Sequence, residues 1–158
     1  MTLEEQLAHL NKVWHRLTPW PDAVPALRRL KTKFVIAPLS NGGIGLLTNL
    51  SKRADLPWDV ILSAEVFRAY KPDPRVYTGV GKLFDIPNEQ VMLVAAHHSD
   101  LDGAKKCGLQ TAYIERAAEF GADVPKDVAP RPEHPLHFRD MEALADWFGC
   151  ASLERAKL

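Results

Sequence analysis

Residues 91–108 read VMLVAAHHSDLDGAKKCG, and this stretch decides the fold. Six apolar or small residues, Val91 to Ala96, stop abruptly at His97-His98-Ser99-Asp100, and an amphipathic run then leads to Gly108. A continuous apolar run suits a strand buried on both faces. The amphipathic run suits a helix over 99–107. The stretch is thus a strand, a polar loop at its carboxyl end, and a helix leading away. In open α/β sheets the working crevice lies outside the carboxyl ends of the strands. Residues 97–100 fall at that place.

Outward from this unit the alternation repeats. Downstream, 110–114 reads as a further strand, and the prolines and charges of 121–135 imply a surface loop. Asp140 caps a last helix over 141–148 that Gly149 closes, with a frayed tail beyond. Upstream, FVIAPL at 34–39 reads as a strand buried on both faces. It ends in Ser40-Asn41-Gly42-Gly43 and is followed by a helix over 44–54 with Leu46, Leu47 and Leu50 inward. A short strand at 60–63 and a brief helix near 65–67 come next. Lys71-Pro72-Asp73-Pro74 then opens a helix over 74–84, since a proline in the first turn sacrifices no helical hydrogen bond. Asp22 caps a helix over 23–31 with Val24, Leu27 and Leu30 inward. At the start, Leu3, Leu7, Leu10, Trp14 and Leu17 form one stripe of a helix over 3–17, with Thr2 and Glu5 set for a capping box. That stripe is expected to lie against its own domain, the alternative being pairing with another chain. Strand–helix alternation with short connections gives an α/β fold with a doubly wound parallel sheet.

The totals fit a single soluble domain of 158 residues, with 46% apolar and 25% charged residues. Lys plus Arg and Asp plus Glu balance at 20 each, so bulk charge gives no case for nucleic acid or an anionic membrane. No apolar run reaches the ~18–20 residues of a membrane span, and MTLEEQLAHL lacks a signal peptide's basic and apolar regions. Cys107 and Cys150 form no CxxC pair and read as incidental thiols of a reducing cytosol. The expected location is the cytoplasm.

Three polar clusters follow strand ends or helix starts: Ser40-Asn41, Lys71, and His97-His98-Ser99-Asp100. A hydroxyl with an amide, an ammonium and a carboxylate together make a carboxylate or anion site with a base beside it. Each has a plain alternative when taken singly. Ser-Asn-Gly is a common turn, a lysine before proline is a common surface charge, and Asp100 can simply cap its helix.

Three longer matches resolve these alternatives. LSNG at 39–42, YKPDPRVY at 70–77 and VAAHHSDLDGAKKCGLQTAYIERAAEFG at 94–121 resemble the last three motifs of the haloacid dehalogenase superfamily. The (S)-2-haloacid dehalogenase-like branch is the nearest. The likeness runs from about Leu17 to Gly149. In that family an aspartate near the N-terminus attacks the carbon bearing the halogen, and water hydrolyses the resulting aspartyl ester. The resemblance implies that Ser40 and Asn41 hydrogen-bond the substrate carboxylate or the nucleophile. It implies that Lys71 stabilises the nucleophile's charge, that Tyr77 orders the surroundings of Lys71, and that Asp100 orients Lys71 and helps activate water. No cofactor is implied, and the partner is a small carboxylate, a 2-haloacid.

The pattern also departs from the family. Where many members have Ser-x-Asn ahead of the aspartate, Ala95 and His97 stand here; His97 is favoured over His98 for a polar or base role, with His98 facing solvent. The superfamily's phosphatases carry a metal-binding aspartate where Ala95-Ala96 offer no hard oxygen ligand, so no metal is expected. His134 and His137 read as loop histidines, without the further ligands a zinc site needs.

No aspartate follows a buried strand ahead of Ser40; the acidic residues there are Glu4, Glu5 and Asp22. The reading is therefore of a fold without its first strand. Residues 1–17 are a remnant of the helical cap, 18–150 the core domain and 151–158 a tail. The strands ending near Ser40 and Ala96 should keep open edges. Inactivity alone, and a homodimer or a complementing N-terminal segment, are the expectations that follow. A carboxylate-binding protein without chemistry and a phosphatase of the same superfamily are the alternatives.

Overall fold

The structure is a computed structural model in which residues 1–121 and 123–151 are described; most of the expected tail lies outside the described residues. The chain divides into two compact units, Met1–Val66 with Ala145–Leu158, and Phe67–Leu144.

In the first unit, α1 (Leu3–Asn11) begins with the expected capping box. Glu5 N donates to Thr2 Oγ1 at 3.2 Å, and Thr2 N donates to Glu5 Oε2 at 2.7 Å. The helix does not run on to residue 17: Lys12–Arg16 is a tighter 3-10 turn. The stripe is not covered by its own domain among the described residues. Leu7 is 57% and Leu10 61% exposed, and no residue of α1 is buried. α2 (Ala23–Leu30) buries Leu27 and Leu30 as expected, together with Ala26 and, unexpectedly, Arg29. Arg29 NH2 donates to the carbonyl of Cys150 at 2.7 Å and meets Asp146 at 2.5 Å, which satisfies its buried head.

The expected strand at 34–39 is a correction. Only β1 (Leu39–Ser40) is regular, and Val35 is 65% exposed. The chain from Ile36 onward still runs beside 59–63: Asp59 N donates to Ile36 O at 2.9 Å and Leu62 N to Pro38 O at 3.2 Å. Pro38 has no N–H to extend the ladder. β1 pairs in parallel with β2 (Leu62–Ser63), Leu39 facing Leu62. Between them lies α3 (Ile44–Ala54), whose end is marked by Asp55 in the left-handed region at φ 53°. Leu46, Leu47 and Leu50 are half-buried rather than fully inward. The short helix α4 (Ala64–Phe67) follows β2.

In the second unit, α5 (Pro74–Phe84) starts with Asp73 as cap, its carboxylate accepting from Arg75 N at 2.9 Å. β3 (Met92–Ala95), α6 (His98–Lys106) and β4 (Gln110–Ile114) reproduce the strand–loop–helix–strand expectation within a residue or two. β4 pairs in parallel with β3 and with β5 (His137–Phe138), which sequence patterning did not reveal. Two residues are too few to display a period. The core holds Val76, Tyr77, Leu93, Leu101, Ala112 and Tyr113. α7 (Met141–Trp147), whose residues from Ala145 onward count with the first unit, is capped by Asp140, whose Oδ1 accepts from Ala143 N at 2.7 Å. Gly149 follows at φ 63°. Parallel strands with intervening helices give the α/β class. Among the described residues β1 has one strand neighbour, β2, and β3 has one, β4, so each keeps an open edge.

Candidate functional site

β3 ends at Ala95, and the chain passes through His97 into α6, whose first turn carries Asp100. The helix N-terminus favours a carboxylate there. Asp100 is engaged by two donors: Lys71 Nζ donates to Oδ2 at 2.5 Å, and Tyr77 OH donates to Oδ1 at 2.7 Å. Lys71 precedes the cap of α5 and Tyr77 lies in its first turns, so one helix start brings both to the carboxylate. The ion pair is mostly withdrawn from water, the two side chains keeping 17% and 18% of their exposure. Such a pair feels less solvent screening than a surface pair. Tyr77 is fully buried. Burial, and then the hydrogen bond to Asp100, push its phenol well above the ordinary range, so it remains a donor. Gly103 leaves room for the ring: a Cβ there would sit 2.7 Å from the Tyr77 hydroxyl and 3.0 Å from Cζ. Sequence patterning did not single out this glycine.

His97 is placed elsewhere. Its Nε2 lies 2.8 Å from Glu119 Oε1, and Lys126 Nζ holds Glu119 Oε2 at 2.5 Å. The same ammonium donates to the carbonyl of Ala96, at the carboxyl end of β3. Burial pushes the Glu119 carboxyl up, but the hydrogen bond from Lys126 and the neighbouring His97 and Lys126 charges outweigh it, leaving the group below its usual range. Glu119 was visible only as one letter of a motif, and Lys126 sits in a loop with no periodicity.

His98 does not face solvent, which corrects the expectation. Its ring stacks on Tyr113 with centroids 4.2 Å apart and planes 9° apart, and lies 5.4 Å from His134. Tyr113 in turn stacks on His137 at 4.9 Å. His134 and His137 are likewise not free loop residues. His134 is buried, with Nε2 2.9 Å from Asp102 and Nδ1 3.2 Å from Thr111 Oγ1, while His137 Nε2 lies 2.8 Å from Glu115. Burial, then Arg131 and His134, depress the His98 imidazole below its usual range. No group of three or more His, Cys, Asp or Glu among the described residues is placed to hold a metal ion.

Ser40 and Asn41 belong to the first unit, at the end of β1. Ser40 Oγ accepts from Gly42 N at 3.0 Å, which shapes the turn, and Asn41 is exposed. The start of α3 is held by Glu65, whose Oε2 accepts from Ile44 N at 2.6 Å. Chemically, the second unit offers an ammonium tied to a carboxylate and a phenol, with a carboxylate-bound imidazole on the same loop. An ammonium can stabilise a developing carboxylate or ester charge, and an imidazole can move a proton.

The family description "haloacid dehalogenase-like hydrolase" matches residues 2–108. The (S)-2-haloacid dehalogenase H-109 of Pseudomonas putida is 29% identical over 153 residues, covering 92% of this chain and 64% of the relative. Among solved structures, the L-2-haloacid dehalogenase PA0810 superposes with a TM-score of 0.89 at 39% identity, over 96% of this chain and 65% of that one. The defluorinating L-2-haloacid dehalogenase Rha0230 gives 0.85 at 41% identity, over 90% and 58%. The chain therefore spans less than two thirds of each of these relatives.

Proposed function

From the premise that the chain belongs to the haloacid dehalogenase-like hydrolase family, we propose that residues 1–158 carry part of a site for hydrolytic removal of halide from small 2-haloalkanoic acids. The observation that carries this reading is Asp100, which binds the Lys71 ammonium and the Tyr77 hydroxyl one turn beyond the end of β3. The relatives' names support the substrate class.

In the proposed reaction a carboxylate attacks the carbon bearing the halogen, the C–halogen electron pair leaves as halide, and an ester remains. Water then adds to the ester carbonyl and gives one proton to a base. The ester C–O bond breaks, the departing alkoxide takes that proton and leaves as a 2-hydroxy acid, and the carboxyl group left behind gives up water's other proton to solvent, which restores the carboxylate. Lys71 stabilises charge on the attacking carboxylate and the developing ester. Asp100 and Tyr77 hold that ammonium in place. Ser40 and Asn41 bind the substrate carboxylate. The site is metal-independent, because Ala95 and Ala96 present no hard oxygen ligand, and it needs no cofactor.

The attacking aspartate has no candidate on a strand ahead of Ser40, so residues 1–158 do not turn over by themselves. Incubating the purified chain with 2-chloropropionate tests this directly. The expected result is no halide above buffer. Halide release that Lys71→Ala or Asp100→Ala abolishes would overturn the claim.

A further inference from the structure

We propose that Glu119 and Lys126 are positioning residues that fix His97 with its Nε2 protonated, so that Nδ1 is the proton-accepting atom at the end of β3. The inference deepens the proposed hydrolysis and rests on that reading for the function of His97, but the ring geometry is testable without turnover.

The argument begins with hydrogen-bonding capacity. Glu119 Oε1 lies 2.8 Å from His97 Nε2. An ionised carboxylate only accepts hydrogen bonds, and a neutral imidazole has one N–H and one lone pair. In the neutral ring the contact therefore requires the proton on Nε2, which leaves the lone pair on Nδ1. Glu119 stays ionised because Lys126 Nζ sits 2.5 Å from its other oxygen, on a side chain only 11% exposed. Lys126 also donates to the carbonyl of Ala96, the residue before His97. One ammonium thus ties the carboxylate to the backbone that carries the imidazole, and the carboxylate fixes the ring. Partners of this kind set the tautomer and orientation of a working histidine.

Charge inventory on the same loop favours His97 over Asp100 as the proton acceptor. Asp100 already accepts from Lys71 on one oxygen and from Tyr77 on the other. His97 has one nitrogen engaged, and its side chain is 52% exposed, so water reaches it. In this assignment Asp100 holds the ammonium, and Nδ1 of His97 takes the proton of the attacking water and returns it to the departing alkoxide.

The test uses the 158-residue chain labelled with nitrogen-15 at histidine, observed above the imidazole titration range. Long-range proton–nitrogen correlations should give His97 a protonated Nε2 and a bare Nδ1. Glu119→Ala should bring the two nitrogen shifts together, as in a free imidazole exchanging tautomers, and Lys126→Met should move them part of the way. A wild-type His97 with averaged nitrogens, or a split untouched by Glu119→Ala, would overturn the proposal. Should Glu119→Ala fail to fold, Lys126→Met decides it, and an unmoved split there overturns it as well. A Glu119 that only supports the fold would lower the melting temperature without changing the tautomer.

In an enzyme completed with an aspartate-bearing first strand, Glu119→Ala should lower kcat by about tenfold to a hundredfold with KM little changed. Adding it to His97→Ala should cost nothing more. An undiminished kcat for Glu119→Ala contradicts the proposal. A completed enzyme without any turnover contradicts the dehalogenase reading, while the tautomer measurement still decides the positioning.

Discussion

At the scale of single residues, Tyr77 and Gly103 make the clearest pair. Tyr77→Phe removes one hydrogen bond to Asp100 while keeping the ring, and should cost about 1 kcal/mol of stability. Gly103→Ala places a methyl 2.7 Å from the phenol oxygen of the buried Tyr77, and should cost about 1–3 kcal/mol. Chemical denaturation of both variants checks the order, Gly103→Ala being the worse. His98 supplies a pH dependence. Its folded pKa is depressed below the ordinary 6.5, so its contribution is present above that value and is lost as pH falls through the folded pKa. Arg131, His134 and His137 disfavour its protonation and Asp102 favours it, with desolvation the largest cause. Stability should therefore begin to fall below about pH 6.5, before a carboxylate such as Glu119, already below its ordinary 4.5, takes up a proton. His98→Phe should keep the stack on Tyr113 and flatten the upper part of that limb, as read from melting temperature against pH. The contacts of Lys71 and Tyr77 with Asp100 were expected because the motifs that carry the family resemblance contain all three residues. Glu119, Lys126 and Gly103 were not, because each matters only through a neighbour distant in the chain.

At the scale of elements, burial separates helices that look alike in sequence. The leucines of α1 carry a clear helical stripe yet stand open, whereas Leu101 of α6 is fully buried. Leu101→Ala should cost about 2–5 kcal/mol. Leu7→Ala and Leu10→Ala should each stay within about 0.5 kcal/mol, as for surface positions. Urea unfolding of the three variants distinguishes the cases. A period predicts which side of a helix is apolar; whether anything lies against it is decided by elements far away in the chain. The strand at 34–39 illustrates the same limit. FVIAPL has the composition of a doubly buried strand, yet a single neighbour and Pro38 leave only Leu39 and Ser40 in regular pairing. β3 and β4 were read correctly because their runs are continuous, and they pair over four residues. β5 had no local signature, and only its partner Tyr113–Ile114 defines it.

At the scale of the molecule, the α/β class and parallel pairing followed from alternation alone, while the division into two units did not. β1 and β3 each keep an open edge among the described residues, and no aspartate on a strand precedes Ser40. The central proposal is that Lys71 with Asp100 serves a carboxylate nucleophile on a strand other than those described in residues 1–121 and 123–151. The most direct measurement is chloride release from (S)-2-chloropropionate by this chain joined to the aspartate-bearing first strand and cap of a dehalogenase relative. The account predicts chloride from the joined protein, none from residues 1–158 alone, and none from the joined protein carrying Lys71→Ala. Chloride from the 158-residue chain alone, or release from the joined protein that Lys71→Ala leaves unchanged, would contradict it.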